Sequence, residues 1–447
     1  MSTAEAQAHV LRAALAAERV RGAHGAPLAL DKDTTNLFRD RRRVPRERLD
    51  LREFHHVLGG SHGCVDVEGC ATYEELVDWC LARGCMPAVV PQLKTITVGG
   101  AVAGLGIEAT SFREGLVHHT VRELEVLVPS GEVVHCTPSN AHRDLFHGFP
   151  NSHGTLGYAL RVRLGTVPVL PYVHVRHVRF DRARDFFAAL EHACGSDADF
   201  VDGVAFGGGT CVLDIARFSA RAPWRSDYTR QRIWWKSLLR RPEDYLSVRD
   251  WLWRWDTDWF WCSRNFGAEN PWVRRVLGRE RLNSRTWTHW MRLASRWRVA
   301  ERFARLRGLT RESVIQDVDI PIGEAARFLE FLDREIGIHP VWICPVRGDR
   351  PAERFPLYPL CRAGLYVNFG FWDAVLTRER HEAGHFNRLV EDEVRALGGI
   401  KSLYSDSYFT PGDFASAYGQ PAYADLKARY DPQGRAPGLY EKCVLHG

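Results

Sequence analysis

The sequence predicts an α+β fold, short helices set among antiparallel strands, and three stretches carry that expectation. ATYEELVDWCLARG (71 to 84) places Tyr73, Leu76, Val77, Cys80 and Leu81 at helical spacing and stops at Gly84. LEVLVPSGEVVHCT joins two β-rich runs through Pro129-Ser130-Gly131, a hairpin. NSHGTLGYALRVRLGTV is a glycine-bearing turn that feeds an alternating strand.

The elements follow in order. MSTAEAQAHVLRAALAAERVRGAHG reads as a helical extension over 1–25, and Glu5, Arg12, Glu18 and Arg19 keep it from being a signal peptide or a membrane span. The prolines of MPAVVPQLKTITVGG bar a helix there. HVRHVRF and FFAALEHACG give a strand and a helix between 171 and 215. Residues 221–310 change character: they hold twelve of the fifteen tryptophans and many more arginines than acids. SVIQDVDIPIGEAARFLEFLDREIG resumes a strand and a helix, VWICPVR and LYVNFGFW are strands, and HFNRLVEDEVRALGG is a helix. With 447 residues, 26% charged and a net charge of +5, the chain is an ordinary globular protein large enough for two or three domains. Eleven cysteines without CxxC spacing read as reduced thiols of a cytoplasmic protein.

TVGGAVAGLGIEATS (97 to 111) contains Gly104-Leu-Gly106-Ile-Glu-Ala109, a match to the G-x-G-x-x-A dinucleotide fingerprint. The Rossmann reading needs a buried strand before the first glycine and a helix after the third. Gly99 and Gly100 spoil the strand, and Thr110, Ser111 and Gly115 leave no apolar helix stripe. No Gly-Lys-Ser/Thr follows for a P-loop. Two readings remain: a glycine turn packed on its own core, and a run of bare amides able to wrap a pyrophosphate-like anion, helped by the hydroxyls of Thr97 and Ser111. The length of the glycine path favours the second.

TVGGAVAGLGIEATSFREGLVHHTV, the Pro-Ser-Gly hairpin, DLF and NSHGTLGYALRVRL together resemble the FAD-binding domain of the vanillyl-alcohol-oxidase, or PCMH, type. More narrowly they resemble the Δ24-sterol reductase branch, and VIQDVDIPI, HPVWICPVR, LYVNFG, KSLYSDSY and LYEKC extend the likeness from about residue 49 to the end. The resemblance implies FAD bound between two α+β subdomains (26–170), an α+β cap over the flavin (171–395, with the Trp/Arg-rich insert 221–310) and a C-terminal segment, 396–447, that returns to the flavin. It assigns Thr97, Val98, Gly99, Gly100, Gly104, Gly106, Ser111, Gly154, Thr155 and Gly157 to FAD. LDKDTTNLFRDR, where the family's pyrophosphate loop falls, lacks that loop's glycines and its histidine, so non-covalent FAD is expected and roles for Lys32, Thr34 and Thr35 stay open. The membrane anchor of eukaryotic members has no counterpart in the sequence. Bacterial relatives are associated with methylene-branched fatty acyl chains, which leaves the lipid substrate open between that class and a sterol.

The implied reaction is reduction of an isolated C=C bond in a lipid, with NADPH as electron source. A hydride goes to one carbon and a proton to the other, so an acid must face the substrate. Glu108, the one acid of the glycine stretch, His119, Tyr404 and Tyr408 are the candidates. Against each stands a bland alternative: a carboxylate anchoring amides for Glu108, a structural imidazole for His119, a polar strand face for the tyrosines. Tyr404, Asp406 and Tyr408 alternate along an expected strand and would face one way. Two other readings stay in view, an oxidase or desaturase on the same scaffold and a non-catalytic flavin or lipid binder.

Two motifs lie outside this scheme. His381-Glu-Ala-Gly-His385 matches the zinc-protease H-E-x-x-H, but Gly384 and the want of a third ligand favour a solvated helix start, so no metal is expected. The Trp/Arg block suits a nucleic-acid surface, a membrane surface or cap packing. No nucleic-acid module surrounds it, and a peripheral site on the inner face of the membrane is preferred because the implied substrate is a lipid.

Overall fold

The computed structural model describes residues 3–23, 27–31, 47–61, 63–296 and 299–445. Of LDKDTTNLFRDR only Leu30 and Asp31 are among them, so Lys32, Thr34 and Thr35 lie outside the described residues. Strands β1 (Leu28–Asp31) and β2 (Glu47–Asp50) form a parallel pair. They pack with the N-terminal helix Thr3–Gly22, which buries Ala13, Ala16, Ala17 and Val20 against Leu127 and Leu160. Beneath this helix His9 links buried Glu68 at 2.8 Å to half-buried Glu125 at 2.9 Å, and these bonds tie it to the first sheet.

That sheet comprises β3 (Val57–Ser61), β4 (Cys64–Glu68), β5 (Cys85–Pro87), β6 (Val121–Leu127), β7 (Val133–Cys136) and β8 (Tyr158–Pro168). Its order is β3-β4-β8-β6-β7, with β5 on β8, and every pairing is antiparallel. A Rossmann unit needs parallel strands, so the fingerprint match in Gly104–Ala109 is one of spelling alone. The helix Tyr73–Leu81 covers the sheet because Thr72 and Glu75 close a capping box and Tyr73, Leu76, Val77 and Cys80 fall on one buried face.

The second sheet begins four residues after the first ends. It holds β9 (Tyr172–Phe180), β10 (Phe200–Gly207), β11 (Thr210–Ser219), β12 (Glu243–Ser247), β13 (Thr310–Pro321), β14 (Val341–Arg347), β15 (Leu365–Thr377) and β16 (Ile400–Lys401). The order is β12-β9-β11-β10-β14-β15-β13-β16, again antiparallel. Helices Ala183–Cys194, Ala325–Phe331 and His385–Ala396 pack on this sheet through Phe186, Phe187, Leu190, Phe328 and Val390. The architecture is therefore the expected α+β, two antiparallel sheets with helical covers.

The Trp/Arg block differs from its expected role as a membrane face. Trp234, Trp251, Trp255, Trp261 and Trp287 are fully buried, and Trp253 and Trp259 nearly so. Its arginines are spent partly inside: Arg274 pairs with Asp258 and Arg254 with Asp202, all buried. Most of the block is thus core between the sheets. Its outer rim, Trp272, Val276, Trp290 and Leu293, is exposed.

Candidate active site

A cavity of about 510 Å³ opens between the two sheets, a size suited to a cofactor-scale ligand. One side comes from β1, Gly69 and Cys70, the helix Val98–Ala103, the loop 104–107 and the turn 153–159. The other comes from Asp317 on β13, Trp342 on β14 and Trp372 on β15, with Trp259, Phe260 and Cys262 from the tryptophan block and Tyr404 and Lys442 from the C-terminal segment.

Thr97, Gly99, Gly100, Gly104, Gly106, Gly154 and Gly157 all line it. Their bareness has two uses. Gly157 has φ +124, and a Cβ there would strike the Leu127 carbonyl; at Gly106 it would sit 2.5 Å from Val117 Cγ2. Packing alone thus forbids a side chain at both. The amides, however, are not all free to form the expected anion nest: Val98 N donates to Ala71 O at 2.9 Å and Gly99 N to Gly69 O at 2.8 Å. The segment is wound into a short helix, despite the two glycines.

Three residues assigned to FAD do not reach the cavity. The Val98 side chain is in the core. Ser111 is fully buried and its Oγ accepts from Glu108 N at 3.1 Å. Thr155 is fully buried, and its hydroxyl donates to Ser152 O at 2.7 Å. Each hydroxyl serves its own turn.

Among the acid candidates, Glu108 is fully buried beside the cavity and not in its wall. Burial raises its pKa to about 7 against the pull of Arg254, whose Nη1 donates to Glu108 Oε1 at 3.3 Å. Arg254 Nη2 also serves Asp202 at 2.7 Å, and Asp202 accepts Trp342 Nε1 at 3.1 Å. Gln92, which lines the cavity at 3% exposure, approaches the Glu108 carboxyl without closing a hydrogen bond of ordinary length.

His119 lies elsewhere. Its Nδ1 accepts from Leu116 N at 2.9 Å, so Nε2–H donates to Asp349 at 3.0 Å, and burial lowers its pKa to about 3. A neutral imidazole with both nitrogens engaged and no face on the cavity is structural, which corrects the expectation of an acid. Tyr408 is also displaced. The strand β16 stops at Lys401, whose buried ammonium donates to Asp406 O at 2.5 Å and Ser407 Oγ at 2.6 Å and bends the chain around itself. Tyr408 then faces Gly384 and Arg388, while Tyr404 alone enters the cavity wall. The two tyrosines do not share a face.

Asp317, Trp342, Trp372, Gln92 and Lys442 were not singled out by sequence reasoning, although VIQDVDIPI, HPVWICPVR and LYEKC contain three of them. Trp259 and Phe260 both adopt left-handed backbone, φ 44 and 56, at the wall. Bulky residues are rarely held so, and such strain concentrates at ligand sites. Phe260 packs on Trp372 at 4.3 Å between ring centres and on Trp342 at 5.5 Å.

The H-E-x-x-H residues do not share a helix face. Gly384, at φ 79, starts the helix after His381, the two imidazoles stack in parallel at 4.1 Å, and no group of three metal-binding side chains occurs among the described residues.

A family model described as an FAD binding domain matches residues 17–137, a region that includes Thr97, Gly99, Gly100, Gly104 and Gly106 of the cavity wall. The chain thus carries a match to an FAD-binding domain of the PCMH type, set in an α+β fold. Along most of its length it is similar to Δ24-sterol reductases: 25% identical over 406 residues to that of Homo sapiens, covering 85% of this chain and 73% of the relative. The Arabidopsis thaliana protein of that name is 23% identical over 90% of this chain and 77% of its own. A cytokinin dehydrogenase of Oryza sativa subsp. japonica is 31% identical over 160 residues, 34% of this chain and 29% of that protein.

The residues present fit FAD. Gln92 presents a buried amide whose donor and acceptor atoms make no hydrogen bond with the described residues, the Thr97 hydroxyl does not cap its helix, and Lys442 brings a cation to the glycine turn at 154.

Proposed function

We propose that this protein reduces an isolated C=C bond of a lipid, a Δ24-unsaturated sterol or a methylene-branched acyl chain, with NADPH as the electron donor. One observation carries the reading: a glycine-lined floor within the FAD-binding region faces an aromatic wall holding a single carboxyl, Asp317. Non-covalent FAD would be held by Thr97, Gly99, Gly100, Gly104, Gly106, Gly154 and Gly157, with Gln92 and Lys442 as additional polar partners. When bound and reduced it supplies the hydride equivalent. The aromatic side chains bind an apolar substrate and exclude water, which strengthens every polar contact left inside. Tyr404, in the same wall, holds a proton position beside Trp372.

The division of labour we infer is 26–170 for FAD and 171–395 for substrate, with 396–447 closing the cavity through Tyr404 and Lys442. The change of sheet between β8 and β9 supports the first boundary. No helix among the described residues is long and apolar enough to cross a membrane. A lipid substrate and the exposed rim of Trp272, Val276, Trp290 and Leu293, interleaved with exposed Arg275, Arg279, Arg285 and Arg292, support a cytoplasmic protein docked on the inner membrane surface.

The likeness to a dehydrogenase over 160 residues favours one second reading, hydride flow from a saturated lipid or alcohol to the flavin. Anaerobic mixing separates them: NADPH bleaches the flavin of a reductase, whereas rapid bleaching by an alcohol or saturated lipid points to the second. A protein with flavin absorbance that neither bleaches would be a binder.

A further inference from the structure

Among the described residues, two acids line the cavity. Asp31 sits on β1 and accepts from Arg48 at 3.0 Å, so it is paired. Asp317 sits on β13 among Trp372, Tyr404 and Cys262, and no cation among the described residues is paired with it. The β13–β15 register sets Asp317 opposite Gly370, where a Cβ would lie 2.6 Å from Asp317 Oδ1 and from the Trp372 ring. The glycine leaves the room that this carboxyl occupies. Oδ1 makes no hydrogen bond with the described residues, while Tyr404 is bonded to the carboxyl. The Tyr404 hydroxyl accepts from Trp372 Nε1 at 2.6 Å, so its own proton points to Asp317.

We propose that Asp317 is the acid that delivers the proton to the lipid alkene, held in place by Tyr404 and Trp372; this rests on the reductase reading above. In the step the π bond is lost and two C–H bonds form. One carbon takes the hydride equivalent of the reduced cofactor, which is oxidised by two electrons. The other takes the proton of Asp317, whose O–H bond breaks to leave a carboxylate bonded to Tyr404. A solvent proton restores the acid. The titratable groups facing Asp317 are Asp319 on its own strand and Tyr404 from the segment after β16: burial raises the carboxyl well above its ordinary value, the hydrogen bond from Tyr404 pulls the other way, and the charge of Asp319 adds to the rise. Glu108 is fixed by Arg254 behind the wall, and the phenol of Tyr404 is pushed well above its ordinary pKa, so neither is as good a donor.

The test uses the FAD-loaded full chain, Asp317→Asn, and a Δ24-unsaturated sterol as the alkene. D317N is expected to keep its flavin and its bleaching by NADPH, while reoxidation by the sterol slows about 100-fold or more. D317E should recover part of that loss. Apart from turnover, the infrared difference between flavin-free wild type and D317N at neutral pH should contain a protonated-carboxyl band. Reoxidation of D317N within about threefold of wild type, or no such band, overturns the proposal. If D317N does not fold, the wild-type alkene step decides: a rate that falls as pH rises through the raised pKa of Asp317 supports it, and a flat profile from about pH 6 to 9 overturns it. Wild-type flavin that no alkene reoxidises defeats the reductase reading instead, and the infrared band still tests the proton.

Discussion

Arg254 reaches from the tryptophan block to Glu108, 3.3 Å away, and through its other nitrogen to Asp202 on β10. One buried cation thus fastens the glycine loop of the FAD region to the second sheet. Removing a single partner from such a cluster strands buried charge. Arg254→Met should destabilise the protein by about 3–5 kcal/mol in urea unfolding, and adding Glu108→Gln and Asp202→Asn should recover a large part.

Glu108 also predicts a pH dependence. Its folded pKa of about 7 lies above the ordinary 4.5, so the unfolded chain gives up the proton first. The stabilisation is complete below the unfolded value and is lost as pH rises through 7, by up to about 3 kcal/mol. Chemical denaturation from acid to mildly alkaline pH should show wild type losing stability relative to Glu108→Gln over that window. A constant difference would mean that Glu108 ionises in the folded protein as it does in water.

Local chemistry made part of this legible in the sequence. The helix Tyr73–Leu81 announces itself because its capping box and its buried face are contiguous. Much of the glycine side of the cavity, Thr97 to Ile107, is one continuous stretch and legible for the same reason. The opposite wall is not, since Asp317, Trp342 and Trp372 lie on three strands whose shared face exists only once β13, β15 and β14 pair. Lys401 shows the same limit: its buried ammonium ends the strand that the alternation of Tyr404 and Tyr408 suggests. Composition leaves the tryptophans open between a surface and cap packing, because nothing local tells a chain which aromatic rings two sheets will enclose.

The glycines separate packing from ligand contact. Gly157→Ala and Gly106→Ala place a Cβ against protein, so each should cost about 1–3 kcal/mol by thermal or urea unfolding along with reduced FAD content. Thr97→Val should weaken FAD retention with little loss of stability, read by flavin release on dilution.

The exposed rim predicts membrane contact. Trp272→Ala with Trp290→Ala should lower flotation with anionic liposomes several-fold at unchanged fold, since both side chains are outside the core, 71% and 48% exposed. Equal flotation of wild type and double variant would leave that rim without this role.

The central claim is that the cavity couples bound flavin to an alkene. Its most direct measurement is the anaerobic absorbance of purified protein reduced by NADPH and then mixed with a Δ24-unsaturated sterol or a methylene-branched acyl lipid. The account predicts return of the oxidised flavin spectrum with one saturated lipid formed per flavin. Flavin that stays reduced in the presence of both lipids, or is bleached by their saturated counterparts, would contradict it.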